Sequence, residues 1–81
     1  MAKTFFPHKF IEVNASEPHP KNTKYKISIG TEIWNNANHE VVKIQMVYDG
    51  KIAGRRSPSY PLGTDDFQRV MQKVTELIAD R

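Results

Sequence analysis

Between Lys24 and Trp34 apolar and polar positions alternate. Tyr25, Ile27, Ile29, Thr31 and Ile33 fall on one face, and Lys24, Lys26, Ser28, Glu32 and Trp34 on the other, which is the period of a half-buried strand. Asn35-Asn36-Ala37-Asn38 is turn material, and Glu40 to Tyr48 alternates again, with Val42, Ile44 and Met46 inward and Val41, Lys43, Gln45 and Val47 outward. The two segments predict a hairpin. A different period begins near Gly63. Phe67, Val70, Met71, Val74, Leu77 and Ile78 form one apolar stripe at helical spacing, and Thr64 is placed to cap a helix over about 64–80, with Asp65 and Asp66 in the first turn.

Two segments are harder to place. Lys3 to Val13 has the aromatic and β-branched content of a strand, but Pro7 interrupts it and leaves its facing open; proline puts it at an edge or a bend. After Tyr48-Asp49-Gly50, a three-residue loop with Gly50 left-handed pairs Val47 with Lys51, Met46 with Ile52 and Ile44 with Gly54. A strict two-residue turn pairs Met46 with Ala53 and pushes Ile52 toward solvent, so the bulged register is expected. Asn14 to Thr23, with Pro18 and Pro20 among small polar residues, is a long loop expected to be the most mobile segment. The whole predicts one α+β domain over residues 1–81, a four-stranded antiparallel sheet in ββββα order with a single C-terminal amphipathic helix packed on one face.

That architecture raises the question of charge, because one helical stripe covers only one face of the sheet. Net charge is +3, and residues 41–62 hold four cations, Lys43, Lys51, Arg55 and Arg56, against Asp49 alone. In the expected register the open face carries Lys24, Lys26, Lys43, Lys51 and Arg55 with Trp34, beside Ser28, Gln45, Ser57 and the one acid Glu32; Arg56 points inward by alternation. Cations beside an aromatic suit single-stranded nucleic acid, phosphates meeting lysines while a ring stacks on a base. The expected ligand surface is therefore Lys24, Lys26, Trp34, Lys43, Lys51, Arg55 and Arg56. Lysines on a solvated strand also serve solubility and guard edges, so the competing expectation is a protein-interaction or structural module that dimerises or adds a partner strand through the open face or an edge.

Other chemistries find less support. The chain has no cysteine, which excludes a disulfide framework, a thiolate metal site and a cysteine nucleophile. His8, His19 and His39 lie in separate segments without the spacing of a helical metal pair, so no metal or cofactor is expected. No nucleophile elbow, P-loop or dinucleotide fingerprint is present, Thr64-Asp65-Asp66 fits capping better than carboxylate catalysis, and a non-enzymatic protein is expected. No apolar run approaches the ~20 residues of a membrane span and no secretory leader is visible, so the expected location is cytoplasmic. A homodimer is expected because a chain of 81 residues has a thin core. The order of four strands and a helix is similar to that of the small dimeric transcriptional-coactivator proteins that bind single-stranded DNA on a curved sheet. The similarity is one of element order, carried by no motif residue, and assigns no family.

Overall fold

A computed structural model describes residues 4–80. The elements are β1 (Phe5–Asn14), β2 (Thr23–Trp34), β3 (Ala37–Tyr48), β4 (Lys51–Ala53) and α1 (Asp66–Ala79). The strands form one antiparallel sheet in the order β1-β2-β3-β4, so the expected ββββα architecture is the one observed.

The β2–β3 and β3–β4 hairpins close through two-residue turns. Asn35 and Asn36 take φ of 54° and 58°, and Asp49 and Gly50 take 53° and 84°. Two consecutive left-handed residues match the right-handed twist of the flanking strands, and Asn, Asp and Gly reach that region at least cost. The second turn corrects the expected register: Tyr48 pairs with Lys51, Val47 with Ile52 and Met46 with Ala53. Turn geometry outweighs the hydrophobic argument here. Ile52 is left 49% exposed on the open face, where it lies beside the buried Val47. β4 then stops after three residues, and the chain turns away at Gly54 with the Arg56 amide donating to the Ala53 carbonyl.

β1 holds a bulge. Pro7 pairs with Gly30 and Lys9 with Ile29, leaving His8 as the extra residue. An inserted residue reverses the alternation, so Phe5, opposite Glu32, and Phe10, opposite Ser28, share a face despite their odd separation. Gly30 permits the close approach that the bulge requires. A Cβ there would lie 2.4 Å from the Phe6 carbonyl oxygen and 2.7 Å from Pro7 Cα.

The helix lies over β1 and β2. Val70 is buried against Val13, Tyr25, Ile27 and Met46, and Met71, Val74 and Leu77 extend the contact. The ends of the stripe are less covered, with Phe67 52% and Ile78 38% exposed.

The helix start differs from expectation. Asp65 takes the cap position without a side-chain cap bond, and the Thr64 hydroxyl donates to the Pro61 carbonyl while accepting weakly from the Asp66 amide. Asp66 is no solvent-facing capping residue, because it is fully buried. Its carboxylate accepts from the Ser16 amide (2.9 Å) and hydroxyl (2.6 Å), the Tyr25 hydroxyl (2.8 Å) and the Arg69 guanidinium (2.6 Å). Burial alone would raise the carboxyl; the bonds from Ser16, Tyr25 and Arg69 outweigh it and hold the group at about 2. The Tyr25 hydroxyl is pushed upward by burial and by the neighbouring carboxylate.

The loop from 15 to 22 is tied to this site. Ala15 donates to Thr23, His19 to Ser16, and the Thr23 hydroxyl to Pro20, so the segment expected to be most mobile is anchored by hydrogen bonds at both ends and at His19.

Two predictions follow from these constraints. The Asp66 carboxyl lies below its ordinary 3.8, so its contribution to stability is present above pH 4 and is lost as pH falls toward 2. Asp66→Asn should flatten that acid limb in urea titrations at stepped pH and cost about 2–3 kcal/mol at pH 7; an unchanged limb refutes the assignment. Gly30→Ala should cost about 1–3 kcal/mol through backbone displacement, whereas Gly54→Ala, with open space around its Cβ, should stay within about 0.5 kcal/mol. Equal effects would refute the close approach.

Candidate nucleic-acid interface

The face of the sheet away from α1 is built from alternate residues of four strands. Cross-strand partners share a face, so the register defines its rows: Asn14, Lys24, Val47 and Ile52; then Glu12, Lys26 and Gln45; then Phe10, Ser28 and Lys43; then Pro7, Gly30 and Val41; then Phe5, Glu32 and His39; and last Trp34 and Ala37. From Ser28 to Trp34 this surface runs about 20 Å along β2.

Four of the expected residues, Lys24, Lys26, Lys43 and Trp34, lie on this face, the three lysines in adjacent rows and Trp34 about 20 Å beyond them at the hairpin tip. Three are not. Lys51 pairs with Tyr48, which shares its face with Met46 beneath the helix, and so Lys51 points to that side at the sheet edge. Arg55 lies in the turn beyond β4. Arg56 rests over the Tyr48 ring, 5.5 Å from its centroid, rather than pairing with an acid. All three displacements follow from the two-residue turn and the shortness of β4.

Aromatic content is higher than expected and charge is lower. The bulge delivers Phe5 and Phe10 to the face that Trp34 occupies. Lys26 Nζ lies 4.3 Å above the Phe10 ring and Lys43 Nζ 4.9 Å above the Phe5 ring, while Trp34 meets His39 edge to face at 4.1 Å. Phe10 is 56% and Trp34 39% exposed. Two acids balance the lysines: Glu12 lies 3.8 Å from Lys24, and Glu32 pairs with Lys43. Three lysines against two glutamates leave a net charge of +1 on the face. Lys26 has no carboxylate within ion-pair distance among the described residues and is held by the Phe10 ring alone.

The arrangement presents flat rings with ammonium groups over two of them, and one partly exposed ion pair, Lys24–Glu12, beside a half-buried one, Lys43–Glu32. It is equipped for an anionic ligand that also offers stacking surface. The histidines remain apart: His8 bonds the Thr31 hydroxyl, His19 bonds the Ser59 carbonyl, and the His39 ring lies in T-shaped contact with Trp34. The signal that would have exposed Phe5 and Phe10 was the bulge, which Pro7 opposite a glycine hints at without fixing its position.

Comparison with known proteins adds no analogy to this geometry: no protein-family model, curated protein or solved structure matches the chain.

Proposed function

We propose that this chain is a non-enzymatic single-stranded nucleic-acid-binding protein and that the open sheet face is its binding surface. The observation that carries the proposal is the placement of Phe5, Phe10 and Trp34 on one face with Lys24, Lys26 and Lys43. Exposed rings stack on unpaired bases of any sequence at about 1–3 kcal/mol per base, whereas bases inside a duplex are already stacked and turn only edges and phosphates outward. Lysines neutralise phosphates and release counterions, which makes binding salt-dependent.

Glu12 and Glu32 set the strength of such binding. Glu12 holds Lys24, and Glu32 holds Lys43 beside the Phe5 ring, in the free protein, and a phosphate must replace them. The more exposed Lys24–Glu12 pair is worth little and gives way readily, the half-buried Lys43–Glu32 pair less so, and the acids tune affinity downward and oppose duplex binding driven by charge alone.

The test is a fluorescence anisotropy titration of labelled single-stranded and duplex oligonucleotides at about 50 and 200 mM salt. With three lysines contacting phosphate at a slope near −0.7 each, affinity should fall roughly 20-fold across that change. Phe10→Ala and Trp34→Ala should weaken binding by about 1–3 kcal/mol each without altering the salt slope. Lys24→Ala with Lys43→Ala should reduce the slope, and Glu32→Gln should raise affinity. No single-strand binding at tens of micromolar protein in low salt, or binding indifferent to both rings, would remove the proposal.

A further inference from the structure

β3 is twelve residues long, yet β4 pairs only with Met46, Val47 and Tyr48. The stretch from Ala37 to Gln45 therefore has no strand on its outer side among the described residues.

The direction of its backbone groups can be worked out. The Ile33 amide donates to the Thr4 carbonyl, so odd-numbered residues of β2 hydrogen-bond toward β1 and even-numbered ones toward β3. Their β3 partners are odd-numbered, and the even-numbered residues of β3 point outward. The two-residue turn at Asp49 and Gly50 agrees, since Tyr48 and Lys51 flank it as a hydrogen-bonded pair. The amides and carbonyls of Asn38, Glu40, Val42 and Ile44 thus face outward, and no hydrogen bond among the described residues uses them.

The opposite edge of the sheet is guarded. On β1, Pro7 has no N–H, the bulge at His8 breaks the row, and the Asn14 carbonyl accepts from Arg69 at 3.1 Å. β3 has no proline and no bulge along its free stretch.

We propose that a second copy of this chain pairs with β3 along this edge, antiparallel, with a two-fold axis through Val41. The four outward-pointing residues are symmetric about that position. An axis at Val41 sets Asn38 opposite Ile44 and Glu40 opposite Val42 of the copy, so every one of their amides and carbonyls finds a partner. An axis at Val42 drives Asn38 onto Met46, which β4 already occupies. An axis at Glu40 opposes two carboxylates and one at Lys43 opposes two ammonium groups, whereas the Val41 axis opposes no lysine to lysine and no glutamate to glutamate. Val41 meets Val41 as a non-hydrogen-bonded pair, in which β-branched side chains approach most closely.

A two-fold perpendicular to the sheet keeps both open faces on the same side. The interface does not depend on nucleic-acid binding, and it would join the two candidate surfaces into one.

Engineered cysteines in a chain without native ones, combined with sedimentation, test the pairing. Cα atoms in a non-hydrogen-bonded pair lie about 4.5 Å apart, within the roughly 4.4–6.8 Å that a disulfide spans. Val41→Cys should give covalent dimer as its major product under mild oxidation, and Phe10→Cys, on the same face and more exposed, only a minor one. Unmodified protein should sediment at twice the 9.3 kDa of one chain. Val42→Pro, which removes an outward amide, and Val41→Lys, which opposes two cations at the axis, should each sediment as folded monomers by circular dichroism. A monomer at high micromolar concentration, a dimer surviving both substitutions, or cross-linking at Phe10→Cys equal to that at Val41→Cys would overturn the proposal.

Discussion

The fold is tied together at one buried carboxylate. Asp66 stands at the first residue of the helix, and its donors come from the loop after β1 (Ser16), the middle of the sheet (Tyr25) and the next turn of the helix itself (Arg69). The Tyr25 hydroxyl also lies 2.9 Å from the Ser59 carbonyl, and its ring stacks on Tyr60 at 5.0 Å, which draws the irregular segment between β4 and α1 onto the same point. A desolvated carboxylate is tolerable only when its lone pairs are occupied. Here they are, and none of the buried side-chain polar atoms among the described residues is left without a partner. In a chain without disulfides, this network fixes where the helix sits, and the position of the helix decides which face of the sheet stays open.

The composition of that open face depends on a second constraint, the bulge at His8. A regular β1 would send Phe5 and Phe10 to opposite sides. The inserted residue sends both away from the helix, and the absence of a Cβ at Gly30 makes the approach of Phe6 and Pro7 sterically possible. A defect in alternation thus creates the aromatic content of the candidate surface, in keeping with the general use of bulges to re-aim side chains.

Much of this architecture was legible in the sequence. The alternation from Lys24 to Trp34 and from Glu40 to Tyr48 placed β2 and β3, and the stripe from Phe67 to Ile78 placed the helix within two residues of its observed Asp66–Ala79 bounds. Periodicity is a strong signal when one face is buried. What escaped was decided by geometry that periodicity does not carry. The Asp49-Gly50 turn chose its register by backbone twist rather than by the burial of Ile52, and that choice moved Lys51 and Arg55 off the face where four other site residues remain. Asp66 looked like an ordinary first-turn acid because its partners, Ser16 and Tyr25, are 50 and 41 residues away in the chain. Long-range polar contacts leave no local pattern.

The placement of the helix chiefly over β1 and β2 also separates the chain's natural chromophores. The one tryptophan, Trp34, sits beside the Asn35-Asn36 turn at the far tip of the long hairpin, against His39 and 39% exposed. Tyr25 and Tyr60 stack at the carboxylate network beneath the helix. Indole emission therefore watches the hairpin tip and the stacked Tyr25–Tyr60 pair watches the helix–sheet junction, so the two spectral windows view opposite ends of one small protein.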